Sequence, residues 1–191
     1  MTTPPVQLQQ LIQRAKVLGL STDCVLTDKT RHSLAIADQE RRQLSEQELA
    51  QICSESGTDQ TLPERLQDKA DALVKTARHH LIKQQPALIA EGGALYPQER
   101  AEACWRDCWN FLRVIIYAIA AGRSEFTDPE GMAALRELYA LMNVPMEGMT
   151  IALDQLKQLT LHETDNPTET ALIHACFVHL QSSLSDTAVK S

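Results

Sequence analysis

Glycine and proline are scarce in this chain, seven and eight of 191 residues, and long runs of β-branched residues are missing. Strands joined by tight turns need both features, so their scarcity argues against a β-rich fold. Ala, Leu, Gln, Glu, Lys and Arg dominate instead, all good helix formers, and the composition predicts an all-α protein. There is no basic tract and the net charge is −7, which argues against a nucleic-acid partner. No apolar run approaches the roughly 20 residues of a membrane span; Val114–Ala121 is far too short. The opening Met-Thr-Thr-Pro-Pro has neither a charged nor an apolar stretch. No export signal is expected from it, and an intracellular, aqueous setting follows as an expectation.

A disulfide framework is also absent. The five cysteines (Cys24, Cys53, Cys104, Cys108 and Cys176) are odd in number and none forms a C-x-x-C pair, so each reads first as a small buried hydrophobe. Cys104 and Cys108 lack a nearby third ligand, and no metal is expected. His79, His80, His174 and His179 lie in helical stretches without a haem-ligand context. No Ser/His/Asp order, phosphate loop or HExxH motif appears, so no enzymatic activity is expected.

What is present is helical periodicity. Leu8, Leu11, Ile12, Ala15 and Leu18 repeat at helix spacing and predict a helix over 6–18, ended by Gly19, after a loose Thr/Pro start at 1–7. Residues 21–28 read as a connector and 30–38 as a short helix. Ser45 and Glu48 form a capping box for a helix to about Cys53, and Gly57 breaks the pattern. Pro63 opens a helix with the stripe Leu66, Ala70, Leu73, Val74, Ala77, Leu81, ending near Gln85-Pro86. After Gly92-Gly93 comes the strongest segment, 98–121. Three more helices follow, from Pro129 to about Leu141, over 146–159 and over 169–184. Seven or eight helices of these lengths suit a globin-like packing.

Three motifs then stand in order. Glu91-Gly-Gly-Ala-Leu-Tyr96 is followed after seven residues by Cys104-Trp-Arg106-Asp107, then Leu112-Arg113, Tyr117 and Ala121-Gly122. Downstream is Arg136-Glu-Leu-Tyr139, ending in Val144-Pro145; upstream are Ala37-Asp38 and Arg42-Gln-Leu44-Ser45-Glu-Gln-Glu48-Leu49. Together they resemble the phycobiliproteins over about 37–185, with an N-terminal helical extension over 1–36 ahead of a globin domain over 37–191. The sequence departs from the family pattern at Ala94 (usually Asn), at Asn110-Phe111 (usually Tyr-Tyr) and at Arg123 (usually acidic).

The resemblance implies a linear tetrapyrrole, phycocyanobilin or a related bilin, joined to Cys104 by a thioether. It further implies that Asp107 accepts hydrogen bonds from the inner pyrrole N–H groups and that Arg106 binds a propionate. By helix geometry Arg100, four residues before Cys104, is a second propionate candidate, and Tyr139 is a candidate pocket wall. Without the resemblance, Cys104 reads as a buried thiol, Asp107 as half of a surface ion pair with Arg106 or Arg113, and Trp105, Trp109, Tyr117 and Tyr139 as core. The resemblance also implies that Asp38, Arg113 and Tyr117 meet a second phycobiliprotein-like subunit across a twofold interface, in a homodimer or heterodimer. A role in or beside the phycobilisome, cytoplasmic and peripheral to the thylakoid membrane, is the implied function. The alternative is a non-harvesting globin relative without pigment, serving as an interaction, carrier or sensory module.

Overall fold

In the computed structural model, which describes residues 6–185, eight helices follow one another: α1 (Val6–Arg14), α2 (Asp28–Gln39), α3 (Glu46–Ser56), α4 (Thr61–Gln84), α5 (Gln98–Ala120), α6 (Pro129–Leu141), α7 (Met146–Leu161) and α8 (Pro167–Ser185). Most of the loose start expected at 1–7 lies outside the described residues; its last two members, Val6 and Gln7, open α1. The helix starts follow their sequence signals. Thr27 accepts from the Thr30 N–H, Ser45 and Glu48 close a capping box, and Asp128 accepts from the Gly131 N–H with Pro129 in the first turn. The stripe read on α4 is buried throughout.

α5 is the axis of the bundle. From Phe111 to Ala121 every side chain is buried, Tyr117, Leu112 and Ile115 at 0% exposure. No amphipathic pattern accounts for an eleven-residue run; a helix apolar on all sides must be surrounded, and α3, α4, α7 and α8 all pack on it.

The N-terminal reading needs two corrections. The first helix stops at Arg14, not Leu18, and residues 15–18 lead along the entry to α6. Leu18 forms an antiparallel bridge with Thr127, the Gly19 N–H donates to Phe126 O at 2.7 Å, and the Asp128 N–H donates to Val17 O at 2.9 Å. Gly19 is therefore no helix terminator: its φ is −101°. It is glycine because a Cβ there would sit 2.5 Å from Thr127 O and 2.9 Å from the Asp128 nitrogen; on the other side, a Cβ on Gly131 would meet Lys16 O at 2.3 Å. Tertiary pairing outbids the local helical period because it buries Leu11, Leu18 and Leu20. α2 spans residues 36 and 37, and its Leu34 and Ala37 share one apolar cluster with Leu18 and Leu20.

Replacing Gly19 by Ala is expected to destabilise the fold by about 1–3 kcal/mol, since backbone atoms, not a flexible side chain, must give way. An unchanged thermal midpoint for Gly19→Ala would show that the segment is not held this closely.

Candidate functional site

Arg113, on α5, is 5% exposed, so its charge needs partners inside the protein. Its Nη2 donates to Asp38 Oδ1 at 2.8 Å and its Nη1 to the Tyr117 hydroxyl at 2.8 Å; that hydroxyl in turn donates to Arg42 O. The three residues assigned by resemblance to a subunit interface thus meet one another within one chain. Two of the three guanidinium nitrogens are paired within the chain, while Nε is buried without a partner.

Beside this pair lies a cleft of about 310 Å³ between the 12–17 segment, the C-terminal end of α2 and the middle of α5. Asp107 lines it with Tyr139, Asn110 and Arg41. Tyr139 donates to Asp107 Oδ2 at 2.8 Å. Burial holds the Asp107 carboxyl above its ordinary value, partly offset by the Tyr139 hydrogen bond and by the charges of Arg106 and Arg41. Burial and the adjacent carboxylate likewise push the Tyr139 hydroxyl up, so it stays a donor. The ion pairs expected of Asp107 with Arg106 or Arg113 are not formed.

Cys104 does not line this cleft. Its side chain faces a narrow crevice under the 85–97 loop, with Leu81, Leu95, Cys108 and Met149. Three residues on a helix separate two side chains by about 60°, which places the thiol and the carboxylate on neighbouring stripes of α5. Burial raises the Cys104 pKa, and the Asp107 charge raises it further. Cys108 is shifted up the same way.

The two arginines read as propionate ligands are elsewhere. Arg106 is exposed and borders a surface groove with Trp105, Trp109 and Asp71 on the far side of α5. Arg100 donates to the Met142 and Asn143 carbonyls, closing the end of α6. Three groups that do face the cleft were missed: Lys16, Arg41 and Asn110. Asn110 lies three residues beyond Asp107, so helical spacing alone brings it to that face; Lys16 and Arg41 arrive by tertiary packing. Among the described residues no group of three or more His, Cys, Asp or Glu is placed to hold a metal, and His80 and His179 are bonded to Gln155 and Thr127. No described helix is long and apolar enough to cross a membrane.

Comparison with known proteins bears on this geometry. A family profile described as "Phycobilisome protein" matches residues 32–184. The C-phycocyanin-3 beta subunit of Microchaete diplosiphon is 34% identical over 103 residues, 54% of this chain and 60% of its own length. The C-phycocyanin beta subunit of Mastigocladus laminosus is 31% identical over 119 residues, 62% of this chain and 69% of its own. A solved far-red fluorescent biliprotein, derived from a far-red induced allophycocyanin F subunit of Chroococcidiopsis thermalis, superimposes with a TM-score of 0.60 at 25% identity, covering 66% of this chain and 96% of that one. The first 31 residues precede the profile match.

Two substitutions test the electrostatics. Asp38→Ala strands a buried guanidinium and is expected to cost roughly 3 kcal/mol, or about 6–12 °C in Tm. Asp107→Asn is expected to stabilise the pigment-free chain by a few degrees at pH 7. The sign follows from the raised carboxyl: the fold favours its protonated form, so the penalty is absent at low pH and appears as pH rises through the ordinary carboxylate range. Melting curves at pH 7 and pH 4 should show the gain only at pH 7; an equal change at both would refute the burial argument.

Proposed function

The chain belongs to the phycobilisome protein family, and from that premise we propose that it is a bilin-binding protein of light harvesting. In this reading the Asp107 cleft receives a linear tetrapyrrole of the phycocyanobilin type and Cys104 tethers it. The observation that carries the reading is a pair of acceptors on one cleft. Asp107 is a half-buried carboxylate oriented by Tyr139, and Asn110 one turn on has a buried Oδ1 without a partner. Buried acceptors left open are rare and costly, and a ligand presenting several N–H groups to one side answers both. The volume, about 310 Å³, is at the lower end of the range for ligand pockets, roughly 300–1,000 Å³, and suits a pigment lying partly at the surface.

A bound bilin supplies the visible absorption and a ring-A double bond open to thiol addition. The protein's part is binding and orientation. Asp107 takes charge-assisted hydrogen bonds from pyrrole N–H groups, about twice as strong as neutral ones. Tyr139 fixes the carboxylate so that it does not turn away. Cys104 would hold the pigment through its sulfur, by addition of the thiol across that double bond, which involves no oxidation. In this reading the Cys104 sulfur leaves the crevice that it shares with Leu95 to reach the neighbouring Asp107 stripe. The partner in this reading is a second phycobiliprotein-like subunit, the same or different, within a phycobilisome at the thylakoid surface.

Co-expression with a phycocyanobilin-synthesis system tests the proposal. The expected result is a coloured protein whose denatured band fluoresces with zinc, and whose Cys104→Ser variant loses that fluorescence. Because the thiol is held protonated, attachment of added bilin to the purified chain should accelerate up to about tenfold per pH unit between pH 7 and 9, as the thiolate fraction grows. A protein that stays colourless with bilin supplied overturns the reading.

A further inference from the structure

Three sulfur-bearing side chains converge in the crevice under the 85–97 loop. Cys104 and Cys108 stand one turn apart on α5, a spacing that puts Cβ atoms about 5–6 Å apart, and Met149 enters from α7. Cys108 Sγ lies 3.9 Å from Met149 Sδ. All three residues are nearly closed off from solvent, at 9%, 2% and 4% exposure in that order, and both cysteines are free thiols. Along the sequence Cys104 and Cys108 have no third ligand nearby. The fold supplies one, 41 residues beyond Cys108.

The separation is the one a shared metal ion sets. A metal–thiolate bond is about 2.3 Å, so two sulfurs on one three-coordinate ion stand about 4 Å apart. Ordinary packing of two sulfurs reaches a similar distance, so the surroundings decide. The other walls are apolar, Leu81, Leu95, Pro145 and Ala152 among them, and no carboxylate or imidazole of the described residues lines the crevice. Its free space is about 10 Å³, no more than a single water needs, so a hydrated hard cation does not enter. Zinc takes four ligands in structural sites, and among the described residues no group of three or more His, Cys, Asp or Glu is placed to supply such a set. Thiolate and thioether sulfurs together select Cu(I).

We propose that Cys104, Cys108 and Met149 form a site for one Cu(I) ion, three-coordinate and dry, between α5 and α7. The ion makes three bonds to sulfur. One thiol proton leaves to solvent for the one positive charge that arrives, so the crevice stays neutral, as an apolar site favours. Copper remains Cu(I) throughout, and nothing is oxidised or reduced. The site does not rest on the bilin-binding reading above, with which it shares a single atom. A Cys104 sulfur that holds copper is not free to hold a pigment, so the two occupants exclude each other.

The test uses the full chain, pigment-free, reduced and anaerobic, titrated with Cu(I) against bicinchoninate, a chelator that colours when it takes the ion. The chain is expected to withhold one equivalent. Met149→Leu conserves volume and removes the thioether. It is expected to weaken retention at least about tenfold, the loss seen even for outer groups of a metal site, while Tm moves little. Cys108→Ser should abolish retention, and Cys24→Ser, which alters an exposed thiol outside the crevice, should leave it unchanged. The site is refuted if the chain leaves all the copper with the chelator, or if Met149→Leu retains it as tightly as the unaltered chain. Retention lost in Cys24→Ser overturns it equally, and Zn(II) held as tightly as Cu(I) overturns the choice of ion. With no bilin present, none of these results touches the pigment reading, which is decided by the colour of the co-expressed protein.

Discussion

The buried guanidinium of Arg113 sets the terms for the rest of the molecule. It sits in the stretch of α5 that is buried on all sides, Phe111–Ala121, and a charge there is tolerable only with fixed partners. Asp38 and Tyr117 supply them, and in doing so they pin the end of α2 against the middle of α5. That anchoring fixes the turn at Arg41, hence one edge of the cleft that Asp107 opens into. Electrostatic necessity in the interior and the shape of the ligand site are in this way a single arrangement.

The cleft itself runs against stability. Asp107 is ionisable where burial disfavours ionisation, Asn110 keeps an amide oxygen unanswered, and Arg41 occupies a backbone position made for glycine. Each is a small local loss, and all three face one hollow. Losses gathered at one place are the usual mark of a site shaped for a ligand. The thiol is treated in the opposite way. Cys104 rests in an apolar crevice, protonated and covered, so its reactivity is held back until the chain around it moves.

Much of the scaffold was legible because its signals are local. The caps at Ser45 and Asp128, the stripe of α4 and the order of the helices follow from residues a few positions apart. The motif positions Cys104 and Asp107 were legible too, but not that they look into different hollows, because a 60° step on a helix is decided by what packs on either side. The path of residues 15–19 was misread since a helical period was present and lost to pairing with residues over 100 positions away. The same distance hid the meaning of Arg123. Its departure from the family pattern is answered by Asp23 of the extension, bonded at 2.8 Å, a partner that only the folded chain reveals. Arg100 is not among the residues lining the cleft and donates instead to carbonyls at the end of α6.

The docking of residues 6–19 on α6 and its entry has a consequence for synthesis. Leu11 and Leu18 pack against α6 and its entry, which are made over 100 residues later. A ribosome adding about 5–20 residues per second leaves these leucines without that cover for several seconds. The front of the protein is thus made first and placed late, and it is during that interval that a nascent chain has most need of a chaperone.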